Sequence, residues 1–253
     1  MIRINRLALV ALLVATLAPV ANTRAVDWIF EGTTRYVAIG VVADPADTGC
    51  DHPQFSTLDF GGDHDDTIQA AINASSDGDT IHICAGTWTL VESPANRDAR
   101  GQTADLLNTN SKNLNFEGEG RDITILDADP FDDEDFYRII SSADDEGMNW
   151  EPLSFADMTL KDGYINWHGG AVAAAGVRCE RVDFENNETN PVVAADGRGG
   201  AIYSEGDVYV DDCGFYANLA EAHGGAVAVV NGDVEILNGS VFEDNSAGDA
   251  AGA

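Results

Sequence analysis

The chain has 253 residues, 44 acidic against 13 basic, and a formal net charge of −31. Nucleic-acid binding needs a basic footprint, so that class is excluded, as is any acidic polysaccharide held by charge alone. Lys112 and Lys161 are the only lysines. This acidity fits either the hydrated surface of proteins from salt-loving microbes or a calcium-rich surface.

Residues 1–25 read as a secretory signal: Arg3 and Arg6, an apolar run from Leu7 to Val20, then Thr23-Arg24-Ala25 as a small-x-small cleavage site. The run is too short and wrongly flanked for a membrane anchor, and no second apolar span follows. The expectation is export, to the cell surface or the medium, with no transmembrane span in the mature chain. The remaining 228 or so residues (253 − 25) suffice for one domain with a continuous core.

Residues 26–60 form an N-terminal segment of uncertain structure, with a strand expected at Tyr36 to Val42 and a loop from Asp44 to Pro53. Asp66-Thr67-Ile68-Gln69 has the form of a capping box, and Ile68, Ala71 and Ile72 share one helical face. Asp77-Gly78 should end this helix, Thr80 to Cys84 alternates as a strand, and Ala85 to Trp88 should turn a corner. Asn113 to Phe116, Asp122 to Leu126 and Phe155 to Leu160 read as further strands. Two long polar stretches, roughly 93–109 and 129–150, separate them.

From Gly169 onward one pattern is written three times. Each copy opens with Gly-Gly-Ala and an aliphatic residue (Gly169 to Val172, Gly199 to Ile202, Gly224 to Val227) and closes with Phe-x-x-Asn (Phe184 to Asn187, Phe215 to Asn218, Phe242 to Asn245). The phenylalanines are 31 and 27 residues apart (215 − 184, 242 − 215), a period that marks a solenoid. Val208, Val210, Cys213 and Phe215 alternate as inward positions, matched by Val177, Cys179, Val182, Phe184 and by Val234, Ile236, Val241, Phe242. Gly-Asp, Asp-Asp and Asn-Gly break the runs. One copy therefore holds about three short strands, one coil of a parallel β-helix, with a twisted antiparallel sandwich as the alternative, and the helix before the first coil would cap its open end. Stacked coils lie about 4.8 Å apart. Phe184, Phe215 and Phe242 are then expected as an aromatic stack. Asn187, Asn218 and Asn245 are expected as a ladder at a turn, where Asn tolerates left-handed backbone.

Export permits disulfides. Cys50 precedes the helix and Cys84 follows it, so a staple between them is expected. Cys179 matches Val210 and Cys213 matches Val182, so these two are not stacked partners and read as buried small hydrophobes, with a disulfide as the alternative.

With these residues in view, the segment Thr67 to Trp88 resembles the capping helix and first coil of pectate-lyase-like solenoids. The Gly-Gly-Ala-aliphatic and Phe-x-x-Asn elements resemble the repeats of polymorphic outer membrane proteins, bacterial surface adhesins. Together the resemblances span about residues 60–253 and imply an all-β, right-handed parallel β-helix over 61–253. They carry over no catalytic position, because the fold serves lyases, hydrolases and adhesins alike. Residues 250–253 align with His223 to Ala226, so a fourth copy is expected to be cut short and the domain truncated at its C-terminus.

Lyase chemistry on uronates would need carboxylates holding Ca²⁺ and an Arg or Lys base. The candidates are Asp183, Asp211 and Asp212, with Arg181 among the few bases (Lys161, Arg178, Arg198). Asp183 and Asp211 would share a cation if they lie on neighbouring coils; the plainer reading is solvated turn residues. Asp211-Asp212 with His223-Gly224 is faintly like a pectin-hydrolase site, but no basic triplet accompanies it. Asp129, Asp132, Asp133 and Asp135 are weak calcium candidates without EF-hand spacing. Trp150 and Trp167 are candidates for a sugar-stacking platform, with Trp88 assigned to packing. Asn73, Asn187 and Asn238 fit the glycosylation pattern weakly. The expected role is a non-catalytic surface scaffold or adhesin contacting glycans or proteins of a host or neighbour. The alternative is a polyuronate lyase or glycoside hydrolase. No cofactor is expected beyond calcium.

Overall fold

The computed structural model describes residues 32–41, 43, 49–51, 53–60, 62, 64–90, 104–128, 137–143, 149–190 and 197–248. The signal-like segment, Asp129, Asp132, Asp133, Asp135 and residues 250–253 lie outside them. The described chain is mostly β with one helix.

Its larger sheet begins with a row of parallel neighbours: Thr80–Ile83, Leu114–Glu117, Leu153–Lys161, Val177–Glu185, Val208–Asp211 and Val234–Leu237. From Leu153 onward the chain returns to this row after 24, 31 and 26 residues (177 − 153, 208 − 177, 234 − 208). Leu153–Lys161 and Val177–Glu185 bend into a second row, joined there by Gly86–Thr89, Thr124–Asp127, Gly214–Tyr216 and Val241–Glu243. The smaller sheet holds a third row (Tyr164–Ile165, Glu188–Thr189, Leu219–Ala220, Ser246–Ala247) and a fourth (Ala104–Asn108, Tyr137–Ser141, Val172–Ala174, Ile202–Ser204, Val227–Val229). Its one antiparallel contact joins Tyr164 to Tyr137. A layer thus has four strand segments where alternation predicted three. The extra one is two residues long, too short to show any alternation.

Side chains stack in register. Trp88, Leu126, Leu160, Phe184, Phe215 and Phe242 form one internal column across six layers. The Phe184 and Phe215 rings lie 4.8 Å apart and nearly parallel, and Phe215 and Phe242 4.6 Å apart. Beside it runs a column of Ile81, Phe116, Phe155, Cys179, Val210 and Ile236. The corner expected over Ala85 to Trp88 falls at its start: Cys84 and Ala85 turn the chain from the first row into the second, Gly86–Thr89 is already strand, and Trp88 is fully buried in the column. Val241 stands over Gly214, an outward position, and Ser240 takes the place over Cys213. In the last described layer Val234 and Ile236 remain 46 % and 52 % exposed.

The Asn ladder forms, with a different cause. The left-handed residues are those just before it, Asn186, Ala217 and Asp244, with φ near +54° (53°, 53°, 55°). That bend turns each Asn side chain inward. Asn187 donates both its backbone N–H and Nδ2 to Asn218 Oδ1 (3.0 Å each) and Nδ2 to Leu160 O (3.1 Å). Asn218 repeats the scheme with Asn245 and Phe184 O. Buried polar groups are thereby satisfied layer upon layer.

The Gly pairs divide their work. Gly169, Gly199 and Gly224 take φ of +64°, +67° and +62°. The second glycine allows close approach at Gly170 and Gly200: a Cβ on Gly200 would lie 2.1 Å from Gly225 O and 2.7 Å from Leu219 N. Gly200→Ala is therefore expected to cost about 3 kcal/mol, the upper part of the overpacking range, read as a lower urea midpoint.

The helix runs His64–Ala74, so Asp66 lies inside its first turn and not at the expected N-cap position. Gln69 instead brackets Asn108, accepting from its N–H and donating to its carbonyl (both 2.9 Å). Lys112 Nζ donates to Ile72 O and Asn73 O, covering carbonyls at the helix C-terminus. Ile68, Ala71 and Ile72 are buried against the first strands. The N-terminal strand is Thr34–Ala38, offset from the expected Tyr36 to Val42, and it joins the larger sheet beside Thr80–Ile83. Cys50 and Cys84 are joined by a disulfide.

Candidate functional site

The sequence candidates fall along one outer edge, where the first row bends into the second. The bend is a column of left-handed residues: Asp157, Arg181, Asp212 and Asn238, with φ of 55°, 54°, 50° and 46°. Left-handed backbone swings each of these side chains outward at the same corner. Glu180, Arg181, Asp211, Asp212 and Asn238 line an open hollow there.

The pairing of these groups differs from the shared-cation arrangement. Asp183 stands beside Gly214 and Asp211 beside Glu180, so the two aspartates do not stack. Asp183 pairs with Arg121 Nη1 at 3.2 Å. The same guanidinium donates to Asp212 O and lies 3.3 Å from Asp212 Oδ2. Arg121 reaches partners 62 and 91 residues away, so its contacts span four layers from outside. Thr159 Oγ1 donates to Arg121 O at 2.6 Å and fixes its base. Sequence reasoning missed Arg121, because nothing local marks it.

Arg181 grips Asp157 with two nitrogens, at 2.6 and 2.7 Å, and also bonds Glu180. Asn238 donates to Asp211. Lys161 lies 2.6 Å from Asp127 and 2.9 Å from Asp162. Arg178 stacks over Tyr209 at 4.8 Å and approaches Glu180. Arg198 bridges to His223 through the backbone.

The electrostatics follow from these partners. Hydrogen bonds to Asp157 and Glu180 hold Arg181 more firmly protonated than a free arginine. Burial alone would loosen the Lys161 proton, but hydrogen bonds to Asp127 and Asp162 outweigh it and push Lys161 above its ordinary value. Burial pushes Asp183 up, against the pull of Arg121. Burial also raises Glu188, helped by repulsion from Glu221. Because its folded value lies above its ordinary 4.5, Glu188 favours the fold below that pH and loses the contribution as pH rises through the folded value. Glu188→Gln should therefore raise the urea midpoint at neutral pH, with the gain shrinking toward pH 4, in a pH series at constant salt.

A second group is aromatic. His168 stacks on Tyr203 at 4.5 Å, Trp150 meets Tyr203 edge-on at 6.1 Å, and Trp167 leans on His168 at 5.1 Å. Beneath them buried Arg138 donates to His168 O and Gly169 O and pairs with Asp105 at 2.7 Å. Trp167 is 57 % exposed, whereas Trp88 is buried elsewhere. Of the possible glycan acceptors, Asn187 is fully buried in the ladder.

Among the described residues the one grouping of three metal-ligand types is Cys50, His82 and Cys84, two of which form the disulfide. No helix among them is long and apolar enough to cross a membrane. Comparison with known protein families, with curated proteins and with solved structures returned no match.

Proposed function

We propose that this chain is a right-handed parallel β-helix acting as an exported, non-catalytic surface scaffold. Its stacked layers form a stiff support that presents its outer faces to glycans or to proteins of a neighbouring surface. The parallel rows support the right-handed reading, since crossovers between parallel strands of one sheet are right-handed in almost all cases. The observation that carries the functional reading is the state of the cations on the outer edge. A lyase base must give up its proton before it can take one. Arg181 and Lys161 are instead held protonated by carboxylates of their own and adjoining layers. Their role is to bind layer to layer. Exposed Trp167 and its aromatic neighbours supply a surface suited to sugar or protein contact.

A second reading, a carbohydrate-active enzyme, draws on one observation: Asp183 is a partly buried carboxyl pushed upward in pKa beside Asp212 and Arg121. Incubation with pectins, alginates and neutral glycans at high salt, with and without Ca²⁺, separates the two. The scaffold reading predicts binding without new unsaturated or reducing ends. Calcium-dependent cleavage that Asp183→Asn abolishes would replace it with the enzyme.

A further inference from the structure

Cys179 and Cys213 are free, buried and in neighbouring layers. Cys179 stands beside Val210 and Cys213 beside Val182, so neither is the other's register partner. Strand pairing alone would keep them apart. The bend changes this. Between each inward pair lies one left-handed residue, Arg181 in one layer and Asp212 in the next. Both thiols sit on the inner side of that corner, where inward side chains converge. The two thiols influence each other across it, and Cys213 Sγ lies 3.3 Å from Asp211 O.

We propose that Cys179 and Cys213 close a second, internal disulfide that ties two neighbouring layers together as the chain folds. The sequence separation is 34 residues (213 − 179), the same as for Cys50 and Cys84, so the two cross-links would constrain the unfolded chain to a similar degree. One staple would hold the helix end and the other the middle of the repeats.

The step is a thiol–disulfide exchange with a small disulfide or a disulfide-carrying oxidoreductase. Take Cys213 as the entering nucleophile; Cys179 in that role gives the same balance. The Cys213 thiolate attacks the carrier disulfide and one carrier thiol leaves. Cys179 then loses its proton and attacks Cys213 Sγ, and the second carrier thiol leaves. One S–S bond forms as the carrier's breaks. Two electrons and both thiol protons end on the carrier. Both sulfurs are inaccessible in the finished fold, so the exchange belongs to folding, before the next layer closes over them.

The proposal is independent of the scaffold reading. The test is thiol mapping on the full chain, refolded from the reduced state at high salt in a glutathione redox buffer. After acid quenching and unfolding, free thiols are labelled with a maleimide and the peptides are mapped. The expected result is no label on any cysteine and a cross-linked peptide joining Cys179 to Cys213. Label on both Cys179 and Cys213, with Cys50–Cys84 closed, overturns the proposal, as does a bridge from either to Cys50 or Cys84. In a Cys50→Ser, Cys84→Ser variant the labelled thiols should still fall from two to none; two remaining would overturn it equally.

Discussion

Asn218→Ala is expected to lower stability by roughly 3–5 kcal/mol, far more than a surface amide would. Asn218 is fully buried and serves both neighbouring layers. Its Oδ1 accepts from the backbone N–H and Nδ2 of Asn187. Its Nδ2 donates to Phe184 O and Asn245 Oδ1. Truncation strands a buried N–H and weakens a buried carbonyl at once, and each such group costs about 1–3 kcal/mol. No water can replace the lost partner unless the column opens. Urea unfolding at high salt reads the effect. A loss below about 1 kcal/mol would mean the ladder is a consequence of layering and not a cause.

The second large effect lies one column inward. Phe215→Ala should cost about 3–5 kcal/mol, because the ring is fully buried between Phe184 and Phe242 and the layers cannot collapse onto the void. Phe215→Leu should cost only about 1 kcal/mol, since Leu126 and Leu160 already occupy the same column. Phe242→Ala should cost clearly less than Phe215→Ala, its side chain being only partly buried in the last described layer. The three midpoints, in that order, test whether the column is one continuous packing unit.

Both effects were legible in part. Phe and Asn recur at a fixed offset in three copies, so their stacking follows from the period alone. The continuation of the phenylalanine column into Leu160, Leu126 and Trp88 was not visible. Residue type changes along the column, and the spacings are 24, 34 and 38 residues (184 − 160, 160 − 126, 126 − 88). A column needs only shape and apolarity, so it does not demand one residue type. The left-handed corner at Asp157, Arg181, Asp212 and Asn238 was hidden for another reason. Arg181 is an unusual residue for that backbone, and only the register shows that it occupies the place of an Asp or Asn.

The outer edge was the least legible part. The sequence named Asp183, Asp211, Asp212 and Arg181 but not their partners. Arg121 lies in an earlier layer, and its contacts depend on how far layers stack, which no local pattern encodes. The same is true of Lys161, which takes Asp127 from the preceding layer and Asp162 from its own. Arg121, Arg181 and Lys161 are each answered by carboxylates of other layers, so on this acidic edge they act as clamps.

Lys161 offers the most direct test of that claim, because Lys112 is the only other lysine and a lysine-labelled sample gives two side-chain signals. A pH titration followed by NMR should show them parting. Lys112 should titrate below the ordinary 10.5, burial being its dominant influence, and Lys161 above 10.5, held by Asp127 and Asp162. Lys161 losing its proton first, at or below 10.5, would contradict the clamp and return it to the list of candidate bases.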